Sequence, residues 1–434
     1  MAMRASDLAR DSGPTSRIAA IPRSDRSDAP VRLAIFLRSL RVGGGAEHNM
    51  LNLADGLASR GYGVDLVLGR REMPCPELAP SVRCVELGGP RPLATARAVL
   101  RDPSTLRALT SAFGDASPPW VLACAPALAD YLRWARPQAL LSALSYSNVA
   151  ALWARRLAGV PTRVVVSERN TVSVRATHES RRRLKALPRV LRRFYPEADC
   201  VSAVSDGVAE DLVRITGLPR DRIHTTYSPI VTPDLSARAE EPLAHPWLAP
   251  GAAPVLLGVG KLKRQKDFAT LLRAFVEVRR ATAARLVILG RGPERRRLTA
   301  LARKLGVEAD VSFEGFVENP LAFMARASVF ALSSTWEGLP SVLVQAMACG
   351  CPVVSTDCQS GPAEILAGGR YGPLVPVGDA SALARAILAL LAEPPPSEGL
   401  KARASDFDVE SALDRMLPLL LPSGLETARR KAAS

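Results

Sequence analysis

A carboxylate, a glycine and a proline precede a predicted helix in SSTWEGLPSVLVQAMACGCPVVS, residues 333–355. A strand-like run ends before them, and the helix is predicted to begin near Pro340 or Ser341. The free N–H groups of a helix start carry partial positive charge and can bind a phosphate or a sugar hydroxyl. Glu337 would then point into a cleft, and Gln345 could reach a ribose hydroxyl from the second turn. The alternative is an ordinary strand–loop–helix corner with a surface glutamate.

A second candidate is the basic loop in VLLGVGKLKRQKDF, residues 255–268, which directly follows a predicted strand. It carries Lys261, Lys263, Arg264 and Lys266. A departing diphosphate needs fixed positive charges of this kind. The alternative is a solvated basic loop without a ligand.

A third candidate is the glycine run Gly43, Gly44 and Gly45, which joins the first predicted strand to the first predicted helix. Glycines at such a corner allow a phosphate or sugar to approach the backbone. The run is not a GxGxxG motif, and it lacks the acidic residue that a dinucleotide-binding motif places on the ribose. We expect the three loops to converge on one cleft.

The elements that position these loops follow from the pattern of the whole chain. It has 434 residues, of which 47% are hydrophobic, enough for two or three domains. From residue 31, short apolar strands alternate with helices, and the alternation restarts after a Pro- and Ala-rich stretch. One of the helices, 205–217, is predicted to be capped and to end at a glycine. The predicted strands are 32–38, 63–69, 82–87, 139–144, 162–168 (TRVVVSE), 200–205, 255–260, 284–290, 311–316, 328–334, 352–356 and 372–377. This predicts an α/β protein of two Rossmann-like domains facing a cleft. The predicted limits are a disordered tail 1–30, a first domain 31–230, a linker 231–252, a second domain 253–405, and a C-terminal helix and tail 406–434.

The formal net charge of +15 favours phosphates or acidic lipid surfaces as partners. Nucleic acid is not expected, because aromatic residues are only 5% of the chain and do not alternate with the basic run. The seven cysteines lie in apolar surroundings away from the four histidines, so we expect reduced thiols and no metal site. The DxD-like letters of residues 406–408 fall in a predicted linker, away from the cleft. No uncharged apolar run reaches the length of a membrane-spanning helix.

A basic segment at residues 174–200 carries eight basic and three acidic side chains. On a helical projection Arg181, Lys185, Arg189 and Arg192 share one side, opposite a stripe of leucine, valine and phenylalanine. One interpretation is a solvated basic face over a core-facing stripe. The other is a surface that binds the diphosphate of a polyprenyl-linked acceptor or rests on anionic lipid.

The motifs GVGKLKRQKDF, ARLVILGRGPERRRL, VSFEGFVENP and STWEGLPSVLVQAMACGCPVVSTDCQSGPAEIL resemble the retaining glycosyltransferases of family 4, and most of residues 31 to 420 follows that pattern. The resemblance implies a GT-B fold, in which a nucleotide sugar lies between two Rossmann-like domains. It implies that Lys261, Lys266 and Glu337 carry the chemistry, with the lysines holding the donor diphosphate and Glu337 near the donor sugar. The donor-binding positions it implies are Gly43, Gly44, Phe316, Val317, Gly338, Leu339, Pro340, Ser341, Val342 and Gln345.

The chain departs from that family pattern at several positions. The Glu-(x)7-Glu signature has Gln345 in place of its second glutamate, so one charge-assisted bond to the ribose is lost. The segment SERNTVS, residues 167–173, stands where many relatives carry a histidine; this is expected for a subgroup with SERN and SGPAEI motifs.

The resemblance predicts a retaining hexosyl- or N-acetylhexosaminyl-transferase that uses a nucleotide sugar, UDP-linked by preference. Its acceptor would be a cell-envelope glycan or a polyprenyl-diphosphate-linked oligosaccharide. We expect no cofactor, no metal requirement, and a cytoplasmic location peripheral to the inner face of the cell membrane. The alternative is a weakened GT-B scaffold or partner subunit that binds donor without turning it over, with Gln345 as the reason.

Overall fold

The computed structural model describes residues 31–40, 44–70, 72, 78–113, 119–178 and 181–422. The predicted disordered tail 1–30, the end of the predicted C-terminal tail and the candidate residue Gly43 lie outside the described residues.

The first domain is built on a sheet of seven parallel strands. The strands are β1 (Arg32–Leu37), β2 (Gly63–Leu68), β3 (Val82–Glu86), β4 (Ala139–Ala143), β5 (Arg163–Glu168), β6 (Cys200–Ala203) and β7 (Ile223–Thr225). Their spatial order is β3-β2-β1-β4-β5-β6-β7. The first six confirm the predicted apolar runs. β7 was not predicted, because its three residues Ile-His-Thr form no apolar run.

Nine α-helices of the described chain accompany this sheet. They are α1 (Gly45–Ser59), α2 (Pro92–Leu100), α3 (Pro103–Phe113), α4 (Ala125–Ala135), α5 (Ser145–Ala158), α6 (Val172–His178), α7 (Arg182–Lys185), α8 (Leu187–Phe194) and α9 (Asp206–Thr216). Helix α9 confirms its predicted caps. The hydroxyl of Ser205 accepts a hydrogen bond from the amide of Val208 at 3.3 Å, and Gly217 ends the helix at a φ of 75°.

The second domain has a six-stranded parallel sheet in the order β10-β9-β8-β11-β12-β13. The strands are β8 (Val255–Val259), β9 (Arg285–Leu289), β10 (Val311–Gly315), β11 (Val329–Leu332), β12 (Val353–Thr356) and β13 (Leu374–Val375). All six fall in predicted strand runs. In both sheets the strand order reverses beside the first strand, and the crevice at such a reversal is where ligands bind in open α/β sheets.

The remaining helices belong to the second domain and its connections. They are α10 (Leu235–Glu240), α11 (Phe268–Ala281), α12 (Arg295–Lys304), α13 (Leu321–Met324), α14 (Ser341–Ala348), α15 (Pro362–Ile365), α16 (Ala380–Ala392), α17 (Ser397–Ala404) and α18 (Val409–Leu420). Helix α10 lies inside the predicted linker 231–252, where the composition predicted no helix. Of the helices within the described ranges, none has the length and hydropathy needed to cross a bilayer.

The chain passes between the domains twice, and the two passages lie side by side. The amides of Ile230 and Val231 donate to the carbonyl of Phe407 at 2.9 and 3.1 Å. The last helix, α18, then packs on α1 of the first domain, where a Cβ added at Gly56 would lie 2.6 Å from the side chain of Val409. The last helix of the described chain therefore packs against the first domain.

Candidate functional site

A buried ion pair lies at the carboxyl ends of the second sheet. The Nζ of Lys266 is 2.6 Å from Oε1 of Glu337, and the hydroxyl of Ser334 donates to the same oxygen at 2.7 Å. The two charged side chains are only 16% and 9% exposed. A buried pair of this kind is held firmly, because each charge loses its water and depends on its partner. Glu337 is thus a fixed carboxylate beside a fixed cation.

The loop after β11 fixes the loop that carries Lys266. The side-chain amide of Gln265 donates to the carbonyl of Trp336 at 2.9 Å, and the amide of Thr335 donates to the carbonyl of Gln265 at 2.8 Å. The hydroxyl of Ser333 donates to the carbonyl of Lys266 at 2.9 Å. The bonds to neighbouring backbone atoms position both members of the ion pair.

The loop after β9 supports the same basic loop from the other side. Its Gly290 has a φ of 139°, and an added Cβ would lie 1.9 Å from the carbonyl oxygen of Gly260. A side chain is therefore excluded at this position. The amide of Leu262 donates to the carbonyl of Arg291 at 3.0 Å. Lys261 is exposed on this supported loop, in contrast to the half-buried Lys266.

Helix α14 begins at Ser341, as the sequence predicted, directly after the loop of Glu337. Its N-cap residue Pro340 is extended and provides no side-chain cap to the first amides. Ser341 and Val342 are half-buried in the first turn, and Gln345 is half-buried one turn further along. The helix start can therefore receive an anion or a hydroxyl through its backbone.

The first domain contacts this corner through the segment that follows β5. A Cβ added at Gly338 would lie 2.3 Å from the carbonyl oxygen of Arg169, so only glycine allows the two backbones to approach. The hydroxyl of Thr171 donates to the carbonyl of Glu337 at 2.8 Å. The site is thus formed by both domains, as predicted for a cleft.

Arg169 brings a second buried cation to the cleft. Its guanidinium donates to the hydroxyl of Ser228 at 2.8 Å. Burial lowers the pKa of Arg169 to about 10, opposed by the carboxylates of Glu168 and Glu47, so the group stays protonated at neutral pH. The Asn49 amide is satisfied when its oxygen accepts from Arg169 at 3.1 Å and from the Ser341 hydroxyl at 3.2 Å. One amide therefore connects α1, Arg169 and the start of α14.

The structure places the predicted site residues in three groups. The lysines, Glu337 and the start of α14 lie together at the cleft. Buried Gly44 is the N-cap of α1, on the first-domain side. Phe316, 39% exposed, and half-buried Val317 lie at the end of β10, near one edge of the second sheet. The four residues of the basic segment lie elsewhere, on and beside α7 and α8.

The stretch of the basic segment from Arg181 to Phe194 forms two short helices, α7 and α8, which are separated at Ala186, beside Pro188. Its four predicted residues are exposed, namely Arg181, Lys185, Arg189 and Arg192. The apolar stripe opposite them is buried, namely Leu184, Leu187, Val190, Leu191 and Phe194. The predicted division into a basic face and a core-facing stripe is confirmed. What the basic face binds stays a prediction.

The sequence did not predict the first-domain contacts beside α14, namely the Arg169 backbone against Gly338 and the Thr171 hydroxyl on the carbonyl of Glu337. A signal was present, because the residues RNT, 169–171, directly follow the predicted strand TRVVVSE and so had to lie at the cleft edge of the sheet. The DxD-like letters at 406–408 have other roles: Asp406 pairs with Arg403 at 2.5 Å and Asp408 caps α18. Among the described residues no cluster of three or more His, Cys, Asp or Glu could hold a metal.

Comparisons with known families cover most of the chain. Residues 253–393 match the family described as "Glycosyl transferases group 1", and residues 43–232 match "Glycosyltransferase Family 4". The first match covers the second domain and the second match covers the first domain, so the cleft lies between the two matched regions.

Two curated relatives and one solved structure illustrate the similarity. The chain is 33% identical over 282 residues to an N-acetylgalactosamine-N,N'-diacetylbacillosaminyl-diphospho-undecaprenol 4-alpha-N-acetylgalactosaminyltransferase of Campylobacter jejuni, over 64% of this chain and 74% of the relative. It is 31% identical to the lipopolysaccharide core biosynthesis glycosyltransferase LpsE of Rhizobium meliloti, over 52% of this chain and 65% of LpsE. The fold resembles Anabaena HepE in complex with UDP-glucose, with a TM-score of 0.63 and 18% identity over 93% of this chain and 100% of HepE.

Proposed function

Because the chain belongs to the group 1 and family 4 glycosyltransferases, we propose that it moves a sugar from a nucleotide diphosphate donor to a cell-envelope acceptor. The enzyme class, a hexosyl- or N-acetylhexosaminyl-transferase of GT-B fold, follows from the comparisons. The observation that carries the proposal is the Lys266–Glu337 pair at the start of α14. In this pair, the Lys266 cation can bind a diphosphate, and the Glu337 carboxylate beside it can bind sugar hydroxyls.

The proposed donor is UDP-linked, and the proposed outcome is retention at the anomeric carbon. The bond between the anomeric carbon and the diphosphate oxygen breaks, and the acceptor oxygen bonds to that carbon on the same face. The acceptor's proton passes to the leaving phosphate oxygen. Lys261, Lys266 and the first amides of α14 stabilise the charge that develops on the diphosphate, which is the largest contribution we assign. The UDP-glucose complex of HepE supports this choice of base.

Glu337 and Gln345 have different roles in this proposal. The fixed carboxylate of Glu337 orients the donor sugar through its hydroxyls, and Gln345 accepts from one ribose hydroxyl as a neutral group. The loss of charge at Gln345 weakens this bond and leaves the groups around the diphosphate unchanged.

A calorimetric titration of UDP and GDP into the wild type, Lys266→Ala and the control Lys304→Ala tests the donor side. We expect UDP to bind the wild type and the control equally. The Lys266→Ala variant should bind UDP about tenfold or more weakly, because a charge-assisted bond is lost. Repeating the titration with a chelator tests the expected lack of a metal requirement. If the folded wild type binds neither nucleotide, the donor proposal is wrong. If it binds UDP without releasing UDP from a UDP-sugar, the scaffold alternative replaces the proposal.

On the acceptor side we propose a lipid-linked or lipopolysaccharide-type glycan, reached from the cytoplasmic surface of the cell membrane. The names of the Campylobacter and Rhizobium relatives support this class of acceptor, the first through its diphospho-undecaprenol substrate. The exposed basic face on α7 and α8 has the charge to bind a lipid diphosphate or an anionic membrane surface.

Liposome co-sedimentation tests the basic face. Vesicles of phosphatidylglycerol and phosphatidylcholine should pellet the wild type and leave the triple variant Arg181→Gln, Lys185→Gln, Arg189→Gln in the supernatant. A control that removes three exposed arginines of the second domain, Arg296, Arg297 and Arg303, corrects for net charge. Equal sedimentation of the wild type and the triple variant would exclude this role for the face.

A further inference from the structure

We propose that Glu364 is a positioning residue that holds the first domain against the backbone of the donor site. The inference rests on the proposed donor site, and it concerns a contact that lies outside that site. Glu364 belongs to α15 of the second domain, and its carboxylate contacts the start of α9 in the first domain. It does so through both oxygens.

The contact completes the cap of a helix in the other domain. Oε2 of Glu364 accepts from the amide of Asp206 at 2.8 Å, and Oε1 accepts from the amide of Gly207 at 3.0 Å. The next amide is already bonded to the cap residue Ser205. A carboxylate at this position also gains from the partial positive charge of the helix start. The second domain thus provides the charged part of the cap on α9.

The two domains approach closely beside this cap. A Cβ added at Gly207 would lie 2.4 Å from the Cβ of Ser360. Ser360 itself has a φ of 59°, a backbone conformation that serine rarely adopts, and Gly361 follows with a φ of 92°. The loop therefore has a strained backbone at the position where it contacts the first domain.

From the same loop a short hydrogen-bond path reaches the donor site. The hydroxyls of Ser360 and Thr171 lie 2.7 Å apart, and they donate to the carbonyl of Glu337 at 3.2 and 2.8 Å. A Cβ added at Gly361 would lie 2.7 Å from the carbonyl oxygen of Gly338. Residues 360–364 therefore contact α9 at one end and the backbone of Glu337 and Gly338 at the other.

The second domain anchors Glu364 from behind. The guanidinium of Arg403 donates to the backbone carbonyls of Glu364 and Ile365 at 2.5 and 2.9 Å. Burial raises the pKa of Glu364, and the carboxylate of Asp206 raises it further, while the two capping amides lower it. The carboxylate is thus half-buried against its own preference for water. This favours a role in joining the domains over that of a solvated side chain.

Loss of the Glu364 contact should therefore lower the rate of turnover and leave nucleotide binding nearly unchanged. The lysines and the start of α14 belong to one domain, so nucleotide binding does not require the Glu364 contact. The alignment of the first domain with Glu337 does require it. A misplacement of about 1 Å between reacting groups can cost about a hundredfold in rate.

Hydrogen exchange and UDP titration of Glu364→Ala, Gly207→Ala and the exposed control Glu398→Ala test the proposal. We expect faster amide exchange in residues 206–209 and also in residues 336–345 for both Glu364→Ala and Gly207→Ala. Gly207→Ala reaches the same contact from the first domain, so it answers the question even if Glu364→Ala does not fold. The control should match the wild type. The dissociation constant of UDP should stay within about threefold of the wild type, since no phosphate contact is removed.

The rate of turnover is a second measurement, and it would not change if Glu364 were only a local cap of α9. UDP release from UDP-N-acetylglucosamine, UDP-N-acetylgalactosamine and UDP-glucose should show kcat reduced about tenfold to a hundredfold with KM nearly unchanged. Glu364→Gln keeps one acceptor oxygen and should recover part of the loss. If exchange rises only in residues 206–209, Glu364 is a local cap and the inference is wrong. If the wild type binds no UDP while both segments exchange faster in the variants, the donor proposal fails and the domain contact stands.

Discussion

Asp65 of the first domain and Glu337 of the second are both buried carboxylates bonded to cations, and their surroundings differ. Asp65 lies in the middle of β2, where both of its oxygens are used. It accepts from the guanidinium of Arg32 at 2.6 Å, from Arg83 at 3.0 and 2.5 Å, and from the hydroxyl of Tyr131 at 2.6 Å. Every partner belongs to the same domain. Such a carboxylate stabilises the sheet and has no bond left for a ligand.

Glu337 follows β11 at the edge of the cleft, and its two described side-chain bonds go to one oxygen, from Lys266 and Ser334. Its carbonyl is bonded across the cleft to Thr171. The difference teaches how to separate a structural charge from a functional one. A structural charge is saturated within its own domain, while a functional one is fixed on one side and lies where the chain leaves a sheet toward a cleft.

The largest effect we expect is on turnover in Glu337→Gln. The amide can keep the bond from Ser334, so the fold should survive, but the negative charge beside the donor sugar is lost. Removing one fixed electrostatic group from an active site costs about 10²- to 10³-fold in kcat. UDP release from a UDP-sugar, assayed below the thermal transition, measures this loss. The melting temperature of the variant should fall, because Lys266 loses its counter-charge. A kcat equal to the wild type's would remove Glu337 from the chemistry.

The converse is expected of Asp65→Asn, which should cost stability and leave the site intact. Breaking a buried ion pair costs about 3 kcal/mol or more, because the remaining partners keep their charges without a counter-charge. Urea denaturation measures the free energy of unfolding of the variant. Calorimetry below the transition should return the wild-type dissociation constant for UDP. A stable Asp65→Asn with weakened UDP binding would reverse the distinction between the two carboxylates.

The local sequence pattern predicted the fold, and it also predicted the part of the candidate site that lies within one segment of the chain. The apolar runs gave twelve of the thirteen strands of the described chain, and the start of α14 was predicted at the correct residues. The contact between Asn49 and Ser341 joins residues 292 positions apart, so no periodicity could reveal it. The cap of Glu364 on α9 is of the same kind, because it depends on how the two domains meet.

A smaller effect is expected from Gln345→Glu, which restores the charge that the family signature has at this position. A charge-assisted bond is about twice as strong as a neutral one, so UDP binding should tighten by about three- to tenfold. The same substitution at exposed Gln138, in the first domain, is the control for net charge. Calorimetry compares the three proteins. Unchanged or weaker binding by Gln345→Glu would show that this side chain does not contact the ribose.

The smallest effect we expect concerns Glu168, a third buried carboxylate. It combines features of the structural Asp65 and the functional Glu337. Its carboxylate accepts from the hydroxyls of Tyr195 at 2.9 Å and Ser145 at 3.1 Å, and from the amide of Arg169 at 3.2 Å. Burial raises its pKa above the ordinary 4.5, and the three hydrogen bonds only partly offset the rise.

The folded state therefore keeps a proton on Glu168 that the unfolded chain releases as the pH rises above about 4.5. The stability from this group is fully present below that pH and declines until the pH passes the folded pKa. Urea midpoints measured between about pH 4 and 8 should show this decline in the wild type and not in Glu168→Gln, which has no proton to release. The exposed control Glu398→Gln should keep the wild-type slope. If Glu168→Gln keeps it too, Glu168 is charged throughout this range, and its bonds stabilise the anion as those of Asp65 do.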